Sequence, residues 1–158
     1  MPTGAVKTRP YQPADEEQVV ALWRRCGLVV KANDPYADIE RKTAVGAELF
    51  LVAEADGRVV GTVMAGYEGH RGWLNYVGVD PSRRREGIGR ALVAAAERRL
   101  RELGCPKVNL QVRALNAEVV AFYEALGYAV EPRVSMGKRL AGPTDSPQKL
   151  RGPREGAT

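Results

Sequence analysis

Cysteine is scarce in this 158-residue chain: Cys26 and Cys105 are the only two, and no CxxC pair occurs. That excludes a disulfide framework and a paired-cysteine zinc site. Both thiols are expected to be reduced and to behave as small buried hydrophobes. Long apolar runs are missing as well. The longest, ALVAAA at 91–96, is followed at once by ERR, far short of the roughly 18 residues that a spanning helix requires. The opening MPTGAVKTRP carries no apolar signal-peptide core, so the chain is expected in the cytoplasm and away from the membrane. No internal repeat is present. Two familiar phosphate loops are also lacking. The stretch nearest to a P-loop, GTVMAGY at 61–67, has Tyr67 where lysine must stand, and a dinucleotide-binding GxGxxG starting at Gly87 fails at Leu92.

What the chain does contain is an ordinary globular composition. With 44% hydrophobic and 27% charged residues it has enough apolar material for a core, which argues against disorder. One domain is expected over 1–140. The remainder, AGPTDSPQKLRGPREGAT at 141–158, is Pro/Gly-rich and polar and is expected to be a mobile tail. The net charge of +5 is spread along the chain, without a reading helix or an aromatic–basic stacking motif, so nucleic acid is not an expected partner. The local excess at Arg83–Arg85 suits a small anionic ligand instead.

Periodicity predicts the elements. VKTRPY at 6–11 reads as a first strand. Val19, Val20, Leu22 and Trp23 then recur at helical spacing between early acids and late arginines, predicting a helix from Ala14 to Cys26. A second short helix follows Asn33-Asp34-Pro35, where Asp34 or Asn33 is a natural cap and Pro35 a first helical residue. Two apolar runs joined by Ala55-Asp56-Gly57 predict a hairpin. A further strand ends before Pro81, an amphipathic helix runs from Gly87 to Leu103, and KVNLQV at 107–112 alternates as a strand. The alternation sets Asn109 and Gln111 on one face of it. A helix capped by Asn116 and stopped by Gly127 is followed by one or two final strands over 128–140. The order β-α-α-β-β-β-α-β-α-β predicts an α/β (α+β) mixed sheet, an antiparallel meander followed by a parallel βαβ crossover.

The chemistry concentrates in VGVDPSRRREGIGRALV at 77–93. Amides at a helix start lack intrahelical partners and carry partial positive charge, so they bind anions. Glycines leave the approach to those amides open, and Arg84 and Arg85 add charge-assisted hydrogen bonds. A pyrophosphate fits. The pattern Val79, Pro81, Arg84, Gly87, Gly89 resembles the acetyl-CoA-binding signature of the GNAT superfamily of N-acetyltransferases, and the element order over about 6–140 is that of the family fold. The resemblance implies that Val77, Gly78 and Val79 lend backbone groups to the pantetheine arm. It implies that the loop through Arg84, Arg85, Gly87, Ile88, Gly89 and Arg90 holds the diphosphate, and that this strand and the next splay apart to admit the thioester.

A second stretch, Asn116, Tyr123, Glu124, Gly127 and Tyr128, resembles the family's other signature, with Val119 where alanine is usual. Asn116 and Tyr123 lie two turns apart on one helix face. The resemblance implies that both face the coenzyme and that Tyr123 protonates the leaving thiolate. A phenol of reference pKa near 10 keeps its proton at neutral pH. The Val79 amide is expected to polarise the thioester carbonyl, and Glu68, beside His70 in GYEGHRG, to take the proton of an amine acceptor. Asp34 and Asp38 offer acidic groups to such a cation. NDPYADIERK, GTVMAGYEGHRG and GCPKV further resemble the YpeA-type subgroup of small bacterial acetyltransferases, with Lys31-Ala32 departing from its Pro-Trp. The family implies acetyl-CoA as cosubstrate, no metal, a small-molecule or peptide amine as acceptor, and a homodimer. A ribosomal-protein N-terminal acetyltransferase and a non-catalytic acetyl-CoA sensor are the competing expectations.

Overall fold

Side chains along the central strands alternate between two apolar faces, and the fold follows from covering both. A computed structural model describes residues 5–142. Its elements are β1 (Lys7–Pro10), α1 (Glu16–Arg25), α2 (Pro35–Val45), β2 (Phe50–Ala55), β3 (Arg58–Tyr67), β4 (Gly72–Val79), α3 (Ile88–Glu102), β5 (Val108–Leu110) and α4 (Ala117–Ala125). The sheet order is β1-β2-β3-β4-β5. The first four strands are antiparallel and β4 pairs with β5 in parallel, so the expected mixed sheet with a meander and a crossover is what forms.

Leu51, Ala53, Val63, Ala65 and Leu74 point to one face, where Leu92, Val93 and Leu100 of α3 and Tyr123 of α4 cover them. Phe50, Val52 and Met64 point to the other, beneath Val19, Leu22 and Trp23 of α1 and Ile39 of α2. The hairpin between β2 and β3 turns through Asp56 and Gly57, both left-handed at φ 52° and 74°, as a two-residue turn of matching twist requires. Asp34 caps α2, accepting from the Tyr36 and Ala37 amides, with Pro35 as first helical residue. Among the described residues no helix is long and apolar enough to cross a membrane.

Two expectations need correction. The first helix does not start at Ala14: Pro13–Asp15 form a 3-10 turn and the α-helix begins at Glu16. Asp15 is drawn back by Arg9, which donates to it at 2.8 Å through two nitrogens, and it accepts from the Gln12 amide. The final strand or strands over 128–140 do not form either. Lys107 and Gln111 reach Glu131 and Ser135 by side chain, at 2.6 and 2.5 Å, so the segment runs alongside β5 without a backbone ladder. Pro132 has no amide to donate, and Val130, Val134 and Met136 alternate correctly but face no core. The tail predicted over 141–158 lies, from residue 143 onward, outside the described residues.

Candidate active site

β4 is both bulged and half-unpaired. Met64 faces Asn75 and Thr62 faces Gly78, so Tyr76 and Val77 together oppose Val63. Tyr76 takes the left-handed φ of 48°, a conformation that must be held by its surroundings. Trp23 Nε1 donates to Thr62 Oγ1, and that hydroxyl donates to the Tyr76 carbonyl, each at 2.8 Å. The Tyr76 ring stacks on Trp23 at 3.8 Å, and its hydroxyl donates to Asp38, which also accepts from Arg41 at 2.5 Å. A bulge re-aims the strand beyond it. Pairing with β5 covers only Gly72, Trp73 and Leu74, so Asn75 to Val79 have no ladder partner on that side among the described residues and a wedge opens between the two strands. The splay implied by the family resemblance is therefore present. The bulge that accompanies it was missed, because NYVGV reads as a regular strand and its anchors sit far away in sequence.

Past β4 the chain makes a short anion cradle. Asp80 caps the turn at Ser82 and is bound by Arg25 at 2.9 Å. Arg83 is tied to Glu86 at 2.8 Å. Arg85 and Gly87 both take left-handed φ, 66° and 81°, an alternation that turns successive amides to one side. The first helical bond of α3 runs from the Ala91 amide to the Gly87 carbonyl and no side chain caps the helix, so the amides of Ile88, Gly89 and Arg90 point out with no partner among the described residues. Arg84, Arg85 and Arg90 are exposed around them and make no salt bridge among the described residues.

The two glycines have different reasons to be bare. A Cβ on Gly87 would meet nothing within 4 Å, so its need is the left-handed backbone, whereas a Cβ on Gly89 would stand 3.1 Å from Phe122 and 3.5 Å from Val79. Gly89 lets α3 approach α4 and β4.

Tyr123 is 8% exposed and shares a cluster with Ile88, Leu92, Val77 and Val79. Its ring meets Phe122 and Tyr128 edge-on at 5.0 and 5.6 Å, and burial pushes the phenol up to about 12. The hydroxyl makes no hydrogen bond to a described residue, yet no fully buried side-chain oxygen there lacks a partner, so it reaches the surface. Asn116 caps α4 by accepting from the Val119 amide at 3.3 Å. Gln111 and Asn109 lie on the β5 face opposite Val108 and Leu110, as the alternation implied. Cys26 donates to the Val79 carbonyl at 3.2 Å, and burial pushes its thiol up.

Glu68 is elsewhere. It sits in the turn between β3 and β4, accepting from the His70 and Arg71 amides. Val79 is the last residue of the strand that begins just after it, roughly 23 Å away along the strand rise. No contact joins Glu68 to Tyr123. Among the described residues no group of three or more His, Cys, Asp or Glu is placed to hold a metal ion.

Comparison with known proteins converges on one family. Residues 16–128 match the model of the Acetyltransferase (GNAT) family. An acetyltransferase of Yersinia enterocolitica is 46% identical over 135 residues, covering 85% of this chain and 96% of the relative. Among solved structures, Ard1 from Thermoplasma volcanium aligns at a TM-score of 0.70 and 26% identity, over 80% of this chain and 84% of that one. The aminoglycoside N-acetyltransferase AAC(6')-Iy in complex with CoA aligns at 0.71 and 21% identity, over 89% and 99%.

Proposed function

The chain belongs to the GNAT acetyltransferase family and is an acetyl-CoA-dependent N-acetyltransferase; from that premise we propose that it acetylates a primary amine by direct attack at the wedge between β4 and β5. Bound there, acetyl-CoA supplies an activated acetyl thioester. The unpaired amides of Ile88, Gly89 and Arg90, with Arg84, Arg85 and Arg90 around them, hold the diphosphate. A Cβ-free Gly87 facing open space leaves room for it. The unpartnered backbone from Val77 to Val79 takes the pantetheine arm, and an amide of that run polarises the carbonyl. Asn116 fixes the start of α4 and thereby Tyr123.

Tyr123 donates the proton that the departing sulfur needs. A phenol near 12 is a weak acid, but apolar surroundings raise the basicity of a thiolate in the same way, so the match survives. Glu68 serves its turn in this reading, and the amine loses its proton to solvent. The unit is the single domain over 1–140. A homodimer is part of the proposal, since a second copy would cover Val134 and Met136, which are 89% and 91% exposed.

The observation that carries the reading is the row of free amides at the start of α3 beside the wedge. It is tested by incubating the protein with acetyl-CoA and a panel of amines and following thiol release. Binding is read separately as thermal stabilisation, about 2.7 kcal/mol at a hundredfold excess over Kd. Thiol release with a subset of amines is expected. Stabilisation without release on any amine overturns the transfer and leaves a binding module.

A further inference from the structure

The segment that follows α4 has the alternation of a strand and no ladder. Three side-chain ties hold it in place: Lys107 donates to Glu131 Oε2 at 2.6 Å, Gln111 to Ser135 at 2.5 Å and Arg139 to Asn33 at 2.7 Å. Its backbone is unused. From Val134 to Leu140 no amide or carbonyl makes a backbone hydrogen bond to a described residue, and the Arg133 amide turns inward to the Glu131 carbonyl at 2.8 Å. Val130, Val134, Met136 and Leu140 are each at least three-quarters exposed. A row of exposed apolar side chains marks an interaction surface, and a free backbone edge beside it is a template for another strand.

The stretch is also complementary to itself. VEPRVSMGKRL at 130–140 can be laid antiparallel on a second copy with Ser135 opposite Ser135. That register sets Val134 against Met136, Val130 against Leu140 and Glu131 against Arg139, and a twofold axis makes each pair twice. The remaining cations, Arg133 and Lys138, meet Gly137 and Pro132, so no like charges face each other. Neighbouring registers are worse. Centring on Met136 sets Arg133 against Arg139, a destabilising like-charge pair, and centring on Val134 leaves Glu131 against Gly137. The backbone agrees with the Ser135 register. When Val134 and Met136 form the hydrogen-bonded pairs, the Arg133 amide, already given to Glu131, points away from the partner. Both charged groups keep capacity for a new contact: Lys107 takes only Oε2 of Glu131, and Arg139 gives Asn33 one of its several N–H donors.

Resting on the homodimer of the proposed function, we infer that residues 130–140 are its interface, two copies pairing antiparallel about Ser135 with crossed Glu131–Arg139 ion pairs. The second copy supplies the backbone partner that β5 does not, and Val134 and Met136 pack against their counterparts across the axis.

Sedimentation of the full chain over a concentration series tests this. A concentration-dependent dimer is expected for the wild type. Glu131→Arg and Arg139→Glu each replace two ion pairs by two like-charge pairs, so each is expected to weaken the dimer about tenfold or more. Mixed in equal amounts, the two variant chains regain both ion pairs and are expected to associate with each other as the wild type does. Val134→Pro removes a ladder amide from each copy and is expected to leave a monomer. Unchanged association in the charge variants, or no rescue on mixing them, overturns this interface and leaves the homodimer to another face. A wild-type chain that stays monomeric overturns the interface and the homodimer together, while thiol release reads the transfer chemistry independently.

Discussion

At the scale of single residues, the two glycines of the cradle make separable predictions. Gly87→Ala forces a left-handed φ of 81° on a residue with a side chain, at a cost of about 1–2 kcal/mol. It also adds a methyl where the diphosphate would lie, so acetyl-CoA affinity is expected to fall with the melting temperature. Gly89→Leu is different. Its side chain would start 3.1 Å from Phe122, the neighbour of Tyr123, so α4 must shift. Calorimetric titration and steady-state kinetics should then show kcat falling more than coenzyme affinity; the opposite split would mean that the bare Cα of Gly89, and not only its amide, serves the diphosphate. Tyr123→Phe is expected to lower kcat about a hundredfold or more, with acetyl-CoA affinity unchanged in the same titration. Because burial sets the phenol near 12, the wild-type pH–rate profile should show no descending limb through the mildly alkaline range. A limb there that vanishes in the phenylalanine variant would keep Tyr123 as the acid but overturn its raised pKa, and a limb that persists in that variant would belong to another group.

At the scale of elements, what could be read depended on whether a signal is local. Caps and stops were legible: Asp34, Asn116 and Gly127 act where they stand, through their own side chain or backbone. So was the hairpin at Asp56-Gly57. The bulge in β4 was not, since it is fixed by Trp23 on α1 and Thr62 on β3, neither close in sequence. The false strand over 128–140 failed for the complementary reason. Its alternation is real, but a strand needs a backbone partner, and β5 is only three residues long, while Pro132 has no amide to donate. The bulge yields a prediction of its own. Thr62→Val removes both the acceptor for Trp23 and the donor to Tyr76, leaving a buried indole N–H unsatisfied at about 1–3 kcal/mol. The melting temperature should drop and the KM for acetyl-CoA should rise, while Thr62→Ser keeps the hydroxyl and both values. Loss of stability without a change in KM would mean that the wedge does not depend on the bulge.

At the scale of the whole molecule, the sheet order followed from sequential strands and one right-handed crossover, and the anion cradle after β4 was legible because its glycines and arginines are contiguous. The cavity at the other end of β4 was not, as Lys42, Glu48, Glu68 and Trp73 are brought together only by the fold. One tertiary tie also governs how the molecule responds to pH. Arg9 on β1 binds Asp15 at the head of α1 and Glu54 on β2, at 2.8 and 2.7 Å, so a single guanidinium fastens the first strand, the first helix and the sheet. Asp15 is only 5% exposed, and Arg9, with help from the Gln12 amide, holds its carboxyl below the ordinary carboxylate range. The unfolded chain therefore takes up this proton first. The stabilisation is complete above the unfolded value, about 3.9, and is lost as the pH falls through the lower folded value. Thermal melts from neutral pH downward should show the wild type losing stability in that acid window. Asp15→Asn, melting lower at neutral pH by roughly 1–3 kcal/mol, should show a flatter descent, because the group that would titrate is gone. Parallel curves for the two proteins would mean that the acid response arises elsewhere in the fold.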